Sequence, residues 1–114
     1  MQIKSAEDVE ASEVAADGAS GVRMRMLIGP SDGAPGFNMR LFEVAAGGHT
    51  PRHRHAWEHE VYVLEGTGTA MAAGAEHSVA AGQCVFVAGG EEHQFRNTGE
   101  GPLRFLCLVP QQPG

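Results

Sequence analysis

The chain has few of the features that suit a nucleic-acid-binding or membrane protein. Only 8 Lys and Arg stand against 14 Asp and Glu, which gives a formal net charge of −6. A phosphate binder needs a basic patch, and no such patch is present, so nucleic acid is excluded as a partner. No apolar run approaches the roughly 18 residues that a membrane span needs. Residues 1–8 carry acids where a signal peptide would carry an apolar core, so we expect a cytoplasmic protein.

Cysteine is also scarce, with Cys84 and Cys107 as the two in the chain. Two cysteines do not make a disulfide framework in a cytoplasmic setting. Both lie inside apolar runs, so we expect each to be a small buried residue. For Cys107 a place in the lining of a pocket is the alternative.

Glycine and proline, by contrast, are frequent, with 16 Gly and 6 Pro scattered between short apolar runs. Such spacing is typical of many strands joined by tight turns. Alternation predicts strands at residues 22–28, 37–44 and 103–109, and a hairpin over 62–71 whose turn lies at 65–68. The count of eight to ten strands predicts an all-β fold, a small antiparallel β-barrel or jelly roll, in one domain over residues 21–114. Residues 1–20 are predicted to be an arm, or an edge strand that pairs with a partner subunit.

Histidines are the most informative residues present. His53, His55 and His59 share one parity, and in an extended strand they would face the same way. His93 follows about forty residues later. Neutral imidazoles in a cluster suit Zn, Cu, Fe or Ni, so the sequence predicts a transition-metal site.

Glu60 competes with His59 as a ligand because the two are adjacent. Parity favours His59, since Glu60 would point to the opposite side of the strand. A β-bulge between residues 55 and 60 would reverse this choice.

Two spaced motifs in the chain resemble those of the cupins. The first cupin motif, G-x5-H-x-H-x3,4-E-x6-G, is matched at Gly47, His53, His55 and Gly66, with His59 at the glutamate position. The second, G-x5-P-x-G-x2-H-x3-N, is matched at Gly82, Gly90, His93 and Asn97, with Ala88 in place of proline.

The resemblance implies a four-histidine variant of the cupin metal site, formed by His53, His55, His59 and His93. It implies Mn(II) as the first choice of metal, with Fe(II) or Cu(II) as alternatives, and a homodimer. The expected function is a metal-dependent, dioxygenase-like oxidoreductase that acts on a small organic substrate. The alternatives are a non-catalytic cupin that binds or senses a small ligand, and a non-redox Lewis-acid isomerase or lyase.

Residues outside the motifs complete the predicted site. Arg40 stands in an otherwise apolar strand, so it either points to solvent or binds a substrate carboxylate. Glu58 and Glu60 are candidates for accepting hydrogen bonds from the ligand imidazoles. The candidate pocket residues are Phe42, Phe95, Phe105 and Cys107.

Overall fold

Nine antiparallel strands form one strongly curled sheet in the computed structural model, which describes residues 1–112. The strands are β1 (Ser12–Glu13), β2 (Ser20–Ile28), β3 (Phe37–His49), β4 (His59–Glu65), β5 (Thr67–Ala72), β6 (Ala75–Ala80), β7 (Cys84–Val87), β8 (His93–Asn97) and β9 (Leu103–Pro110). Two short 3-10 turns lie at Ala6–Asp8 and Pro30–Asp32. This confirms the predicted all-β, single-domain fold. The predicted boundary at residue 20 stays a prediction, and positions 113 and 114 of that predicted domain lie outside the described residues.

The order of the strands explains how the sheet curls into a half-barrel. The main path runs β6-β5-β8-β3-β9-β4-β7, with β2 paired to β3 and β1 paired to β2. The short β1 therefore pairs inside its own chain, through Ser12 opposite Met24 and Glu13 opposite Arg23. Within the described residues no helix is long and apolar enough to cross a membrane.

Strand β9 lies between β3 and β4 and shows how the core is built. Its side chains alternate between buried and half-buried along the strand. The buried set points into the half-barrel and comprises Leu103, Phe105, Cys107 and Val109. Burial of such side chains contributes about 1.5–3 kcal/mol each for the large apolar ones. The inner face of β9 thus forms both core and, at Cys107, part of a cavity wall.

The predicted hairpin over residues 62–71 is wrong. Strand β4 pairs with β7 and β9, whereas β5 pairs with β6 and β8. Gly66, at φ +91° and packed against Pro102, carries the chain from one set of strands to the other. The observed hairpin joins β5 to β6 through Ala73 and Gly74, both at positive φ, as a two-residue primed turn requires.

Two smaller predictions also differ from the structure. Strand β3 does not end at residue 44 but runs on to His49, because a register shift against β2 and the positive φ of Gly47 keep the pairing going. Cys84 was expected to be buried and is exposed. It opposes Tyr62 on the outer face, and the apolar run around it does not reveal which face the strand buries.

Candidate metal centre

The two motif regions are joined by main-chain hydrogen bonds. The N–H of His53 donates to the oxygen of His93 across 3.2 Å, and the N–H of His93 donates back to the oxygen of His53 across 2.9 Å. A residue pair that exchanges both bonds brings its side chains to the same side of the sheet. Their rings lie 4.8 Å apart between centroids. Two of the predicted ligands are therefore placed side by side by the backbone itself.

His55 is held by its neighbours on the loop between β3 and β4. Its main-chain oxygen accepts a hydrogen bond from the N–H of Gly90 across 2.5 Å. Its ring stacks on Trp57 with centroids 4.5 Å apart and planes 7° apart. The same ring lies 4.2 Å from the ring of His53. The segment is a loop with bends at 56 and 57, so loop geometry rather than strand parity brings His55 to the site.

Three of the predicted ligands form a tight group, and the fourth lies beside it. One nitrogen from each of His53, His55 and His93 falls within 4.8 Å of the others. The ring of His59 is 4.7 Å from that of His93 and 5.3 Å from that of His55, between centroids. The structure thus gives a cluster of three histidines and an adjacent fourth ring.

His59 and Glu60 occupy opposite faces of β4. His59 is buried at 6% exposure, and Glu60 is exposed. The Nδ1 atom of His59 lies 3.3 Å from the Sγ atom of Cys107. Its Nε2 atom is buried and has no hydrogen-bond partner among residues 1–112. A buried polar nitrogen without a partner is costly, and a bound ion would remove that cost.

The groups that contact the imidazoles differ from those expected. The Nδ1 atom of His93 donates to the main-chain oxygen of Glu91 across 2.9 Å. A carbonyl only accepts, so the lone pair of His93 is on Nε2, the nitrogen free to bind an ion. Glu58 and Glu60, the expected acceptors, are exposed. The contacts of the Glu91 carbonyl and of Cys107 with these rings were not predicted, because neither a main-chain group nor a cysteine 48 positions from His59 leaves a local sequence pattern.

A cavity of about 220 Å³ lies over the histidines and is lined by all four of them. The four residues predicted as pocket lining also line it: Phe42, Phe95, Phe105 and Cys107. Phe42 and Phe105 stack at 5.4 Å, and Phe95 lies 4.9 Å from Phe105, between centroids. Val14 and Ala16, from the segment after β1, and Thr50 add to the wall and were not predicted.

Arg40 extends into this cavity rather than to solvent. Its guanidinium carbon lies 5.0 Å from the centroid of Phe42, and its Nη2 atom donates to the Sγ atom of Cys107 across 3.2 Å. The Nε atom is buried with no partner in the described part of the chain. The side chain therefore brings a positive charge and an unused donor to the cavity.

Burial sets the charge state of the histidines. It lowers the pKa of His53 to about 4 and that of His59 to about 3, with the neighbouring histidines and Arg40 adding repulsion. Burial also lowers the pKa of His55 and raises that of the Cys107 thiol. The imidazoles of His53, His55 and His59 are therefore neutral at pH 7, which is the form that binds a metal.

The donor set fits a first-row transition metal. Neutral imidazole nitrogens suit Zn, Cu, Fe and Ni, and within residues 1–112 no Asp or Glu side chain lines the cavity. A larger cavity of about 580 Å³ shares His93 and Phe95 with this one, but it contains only His93 of the four histidines, together with exposed His77 and Cys84. The histidine chemistry is therefore concentrated in the smaller cavity.

Comparisons with known proteins agree with this architecture. The 1-methylthio-D-xylulose 5-phosphate methylsulfurylase of Rhodospirillum rubrum is 39% identical over 85 residues, which are 75% of this chain and 54% of that protein. The oxalate-binding protein of Thermotoga maritima is 34% identical over 74 residues, 61% of each protein. The chain thus spans 54% to 61% of the length of these two relatives.

Solved structures give a similar result over the whole chain. The polyketide cyclase RemF from Streptomyces resistomycificus superposes with a TM-score of 0.92 at 38% identity, covering 100% of this chain and 82% of the other. A cupin-2 domain from Rhodospirillum rubrum gives 0.79 at 32% identity, covering 100% and 80%. The model of the cupin domain family matches residues 40–109, which include both histidine motifs. The chain belongs to the cupin family.

Proposed function

We propose that this chain is a cytoplasmic, metal-dependent enzyme whose divalent ion, Mn(II) first and Fe(II) or Cu(II) otherwise, is held by four histidines: His53, His55, His59 and His93. The observation that carries the proposal is the buried Nε2 atom of His59, which has no partner within residues 1–112 although it adjoins three other imidazoles. An accidental histidine cluster would be exposed and solvated. Here two of the four residues are almost fully buried, His59 and His93.

The proposed chemistry follows from the neutrality of these ligands. A divalent ion held by four imidazoles would keep its whole charge and supply Lewis acidity to a substrate oxygen. Arg40 would hold the same substrate by an anionic oxygen, through its unpartnered Nε atom. Among the described residues no Asp or Glu side chain lines the cavity, so we assign no catalytic role to these residue types. The residues thus favour a carbonyl or enolate substrate over one that needs a carboxylate base.

The aromatic wall supports a planar substrate. The stacked Phe42 and Phe105, with Phe95 beside them, offer flat apolar contact next to the histidines. The cavity, at about 220 Å³, is below the roughly 300–1,000 Å³ of drug-sized sites, so the substrate is small or extends out of it. We therefore propose a conjugated, oxygen-bearing compound of the β-dicarbonyl or phenolic class.

Two reaction types are compatible with this site, and we favour the one without net redox. The polyketide cyclase, at 38% identity, supports a ring closure, which on a β-dicarbonyl substrate begins with enolisation. The dioxygenase-like oxidoreductase predicted from the resemblance stays as the redox alternative. Exchange of the α-protons of a β-diketone in D2O, followed by NMR beside an oxygen electrode, separates the two. Exchange without oxygen uptake supports the first, and oxygen uptake with substrate supports the second.

The metal set itself is tested by elemental analysis of protein purified without a histidine tag. We expect about one equivalent of metal in the wild type and in Glu60→Gln, and a loss in His59→Ala. The matched pair removes adjacent side chains from opposite faces of β4. Loss of metal in Glu60→Gln, with His59→Ala retaining it, would contradict the four-histidine centre.

A binding function without catalysis is the second candidate, and Arg40 beside the histidines favours it. The oxalate-binding protein of Thermotoga maritima, at 34% identity, supports capture of a small dianion, which Arg40 would attract here. Calorimetry with oxalate on metal-loaded protein tests this candidate. Tight binding with no proton exchange and no oxygen uptake in the assays above would replace the enzyme proposal.

We also propose that two copies of the chain pair through the outer face of β3, β9, β4 and β7. This outer face exposes Phe37 at 63%, Phe86 at 65% and Tyr62 at 44%. Half-buried Leu106 and Leu108 lie between them. Light scattering after size exclusion should give a dimer for the wild type and for Ile28→Lys, which changes an equally apolar residue elsewhere, and a monomer for Phe86→Lys. A monomeric wild type would contradict the pairing.

A further inference from the structure

Cys107 is the residue that joins the histidine cluster to Arg40. Its Sγ atom lies 3.3 Å from the Nδ1 atom of His59 and 3.2 Å from the Nη2 atom of Arg40. Strand β9, which carries it, lies between β3 and β4, and Cys107 opposes Arg40 directly across the β3–β9 pair. One buried sulfur atom therefore contacts side chains from both neighbouring strands.

We propose that Cys107 is a positioning residue, which holds His59 with its Nε2 atom free for the metal and ties this ligand to Arg40. The inference rests on the proposed function, because it assigns His59 as a metal ligand. It adds a residue that lies outside both histidine motifs.

The sulfur atom of Cys107 is the acceptor in its hydrogen bonds with Arg40 and, when His59 binds a metal through Nε2, with His59. A guanidinium group has donors only, so the sulfur atom of Cys107 accepts from Arg40. A histidine that binds a metal through Nε2 has its proton on Nδ1 and donates it to a neighbouring acceptor. The only such neighbour of His59 Nδ1 within the described residues is the same sulfur atom. The sulfur then accepts from both sides and fixes the orientation of the ring and of the guanidinium together.

The tautomers of His93 and His59 are fixed by different kinds of group. The Nδ1 atom of His93 faces the carbonyl of Glu91, which accepts and never donates, so the tautomer of His93 is fixed by the backbone. The thiol facing His59 is a weak acceptor and also carries a proton that it can donate. The tautomer of His59 therefore depends on a side chain, and substitution of that side chain changes it.

An ordinary core role for Cys107 predicts a different result. At 4% exposure the residue packs with the buried cluster that includes Phe105 and Val109. If packing were its whole role, valine would replace it without changing the tautomer of His59. If the sulfur is the acceptor, serine preserves the hydrogen bonds and valine removes them.

The test combines a spectroscopic readout with a metal affinity. Long-range 1H–15N NMR of metal-free protein reports which nitrogen of His59 carries the proton, and competition with a chelator gives the dissociation constant for Co(II). We expect the Nδ1–H form in the wild type and Cys107→Ser, and loss of that preference in Cys107→Val. Co(II) affinity should fall by about 10–100-fold in Cys107→Val, the usual cost of losing a group that orients a metal ligand. The same exchanges at exposed Cys84 serve as matched controls and should change neither quantity.

The possible results separate the role of Cys107 from the proposed metal centre. An Nε2–H form of His59 in the wild type, or a folded Cys107→Val with unchanged tautomer and Co(II) affinity, would overturn the role of Cys107. If Cys107→Val does not fold, Cys107→Ala and Cys107→Ser carry the same comparison. Absence of Co(II) binding in the wild type would instead contradict the proposed metal centre, while the tautomer in metal-free protein would still test Cys107.

Discussion

The ring of His55 lies flat against Trp57, with centroids 4.5 Å apart and planes 7° apart. Trp57 is the single tryptophan of the chain, so all tryptophan fluorescence comes from an indole ring stacked on His55. The stack also limits the rotation of a loop residue that no strand holds. A histidine of the proposed metal site and an intrinsic optical probe are thus in direct contact.

Addition of Cu(II) to metal-free protein should therefore quench the emission of Trp57. The quenching should saturate near one equivalent, because a paramagnetic ion at the histidine cluster lies close to the indole ring. Titration of the wild type against His55→Ala checks this, with the variant expected to need more Cu(II). Exposed His77, changed to Ala, is the matched control and should leave the titration curve unaltered. Unchanged emission in protein shown to hold one Cu(II) would contradict the placement of the ion.

Acid should destabilise the metal-free protein through the buried histidines. The pKa of His53 is lowered to about 4 and that of His59 to about 3, chiefly by burial, while an unfolded histidine titrates near 6.5. Below about pH 6.5 the unfolded state binds more protons than the folded state, so stability that is fully present above this pH is lost as the pH falls toward 4 and then 3. Urea unfolding midpoints at several pH values in the presence of a chelator measure this loss.

The same titration identifies the histidines responsible. His59→Gln should flatten the fall in the midpoint, because one group that takes up a proton on unfolding has been removed. The same exchange at exposed His77 controls for the loss of a histidine as such. An equal fall in the wild type and His59→Gln would rule out a contribution from His59.

Arg40 should control the affinity for anions without controlling the metal. Arg40→Gln removes the cationic donor from the cavity, so binding of oxalate to metal-loaded protein should weaken by at least about tenfold, or about 1.4 kcal/mol. Arg54→Gln removes the same charge from an exposed side chain on the histidine loop and should have little effect. Calorimetry with both variants, after their metal content has been matched, makes the comparison. Equal weakening in the two would indicate a general effect of charge.

Gly66 should tolerate substitution much less well than Gly82, although both have φ +91°. A Cβ atom at Gly66 would meet the main-chain oxygen of Pro102, whereas one at Gly82 has no atom within 4 Å. Gly82→Ala should therefore cost only the strain of the left-handed conformation, about 1–2 kcal/mol. Gly66→Ala should cost several kcal/mol more than that, or prevent folding. Urea denaturation of the two variants measures the difference, and equal losses would mean that the crossing at Gly66 is less crowded than described.

Period-two alternation was sufficient to predict where β2, β3 and β9 lie in the sequence. It predicted the last strand to within one residue. Parity also placed Glu60 on the side opposite to His59, as observed, although residues 54–58 form a loop and not the extended run on which that argument rested. These features depend on local contacts and side-chain direction, which the order of residues sets directly.

The same patterns did not predict which strands pair with each other. Glycine at positions 66 and 68 resembled a hairpin turn, but β4 and β5 pair with other strands, and the chain crosses between them at Gly66. The prediction that Cys84 is buried was wrong for a related reason. A short apolar run has the same composition on an inner and an outer face when the outer face is itself apolar.

The sequence by itself determined the all-β fold, the family and the four candidate histidines, because spaced motifs and alternation are local properties of the chain. Only the tertiary structure decided which groups contact those histidines. Strand β9 lies between β3 and β4, and that arrangement brings Cys107 to His59 and Arg40 from 48 and 67 positions away. Contacts of this kind arise from long-range pairing, where the sheet as a whole selects the neighbours and no short segment encodes them.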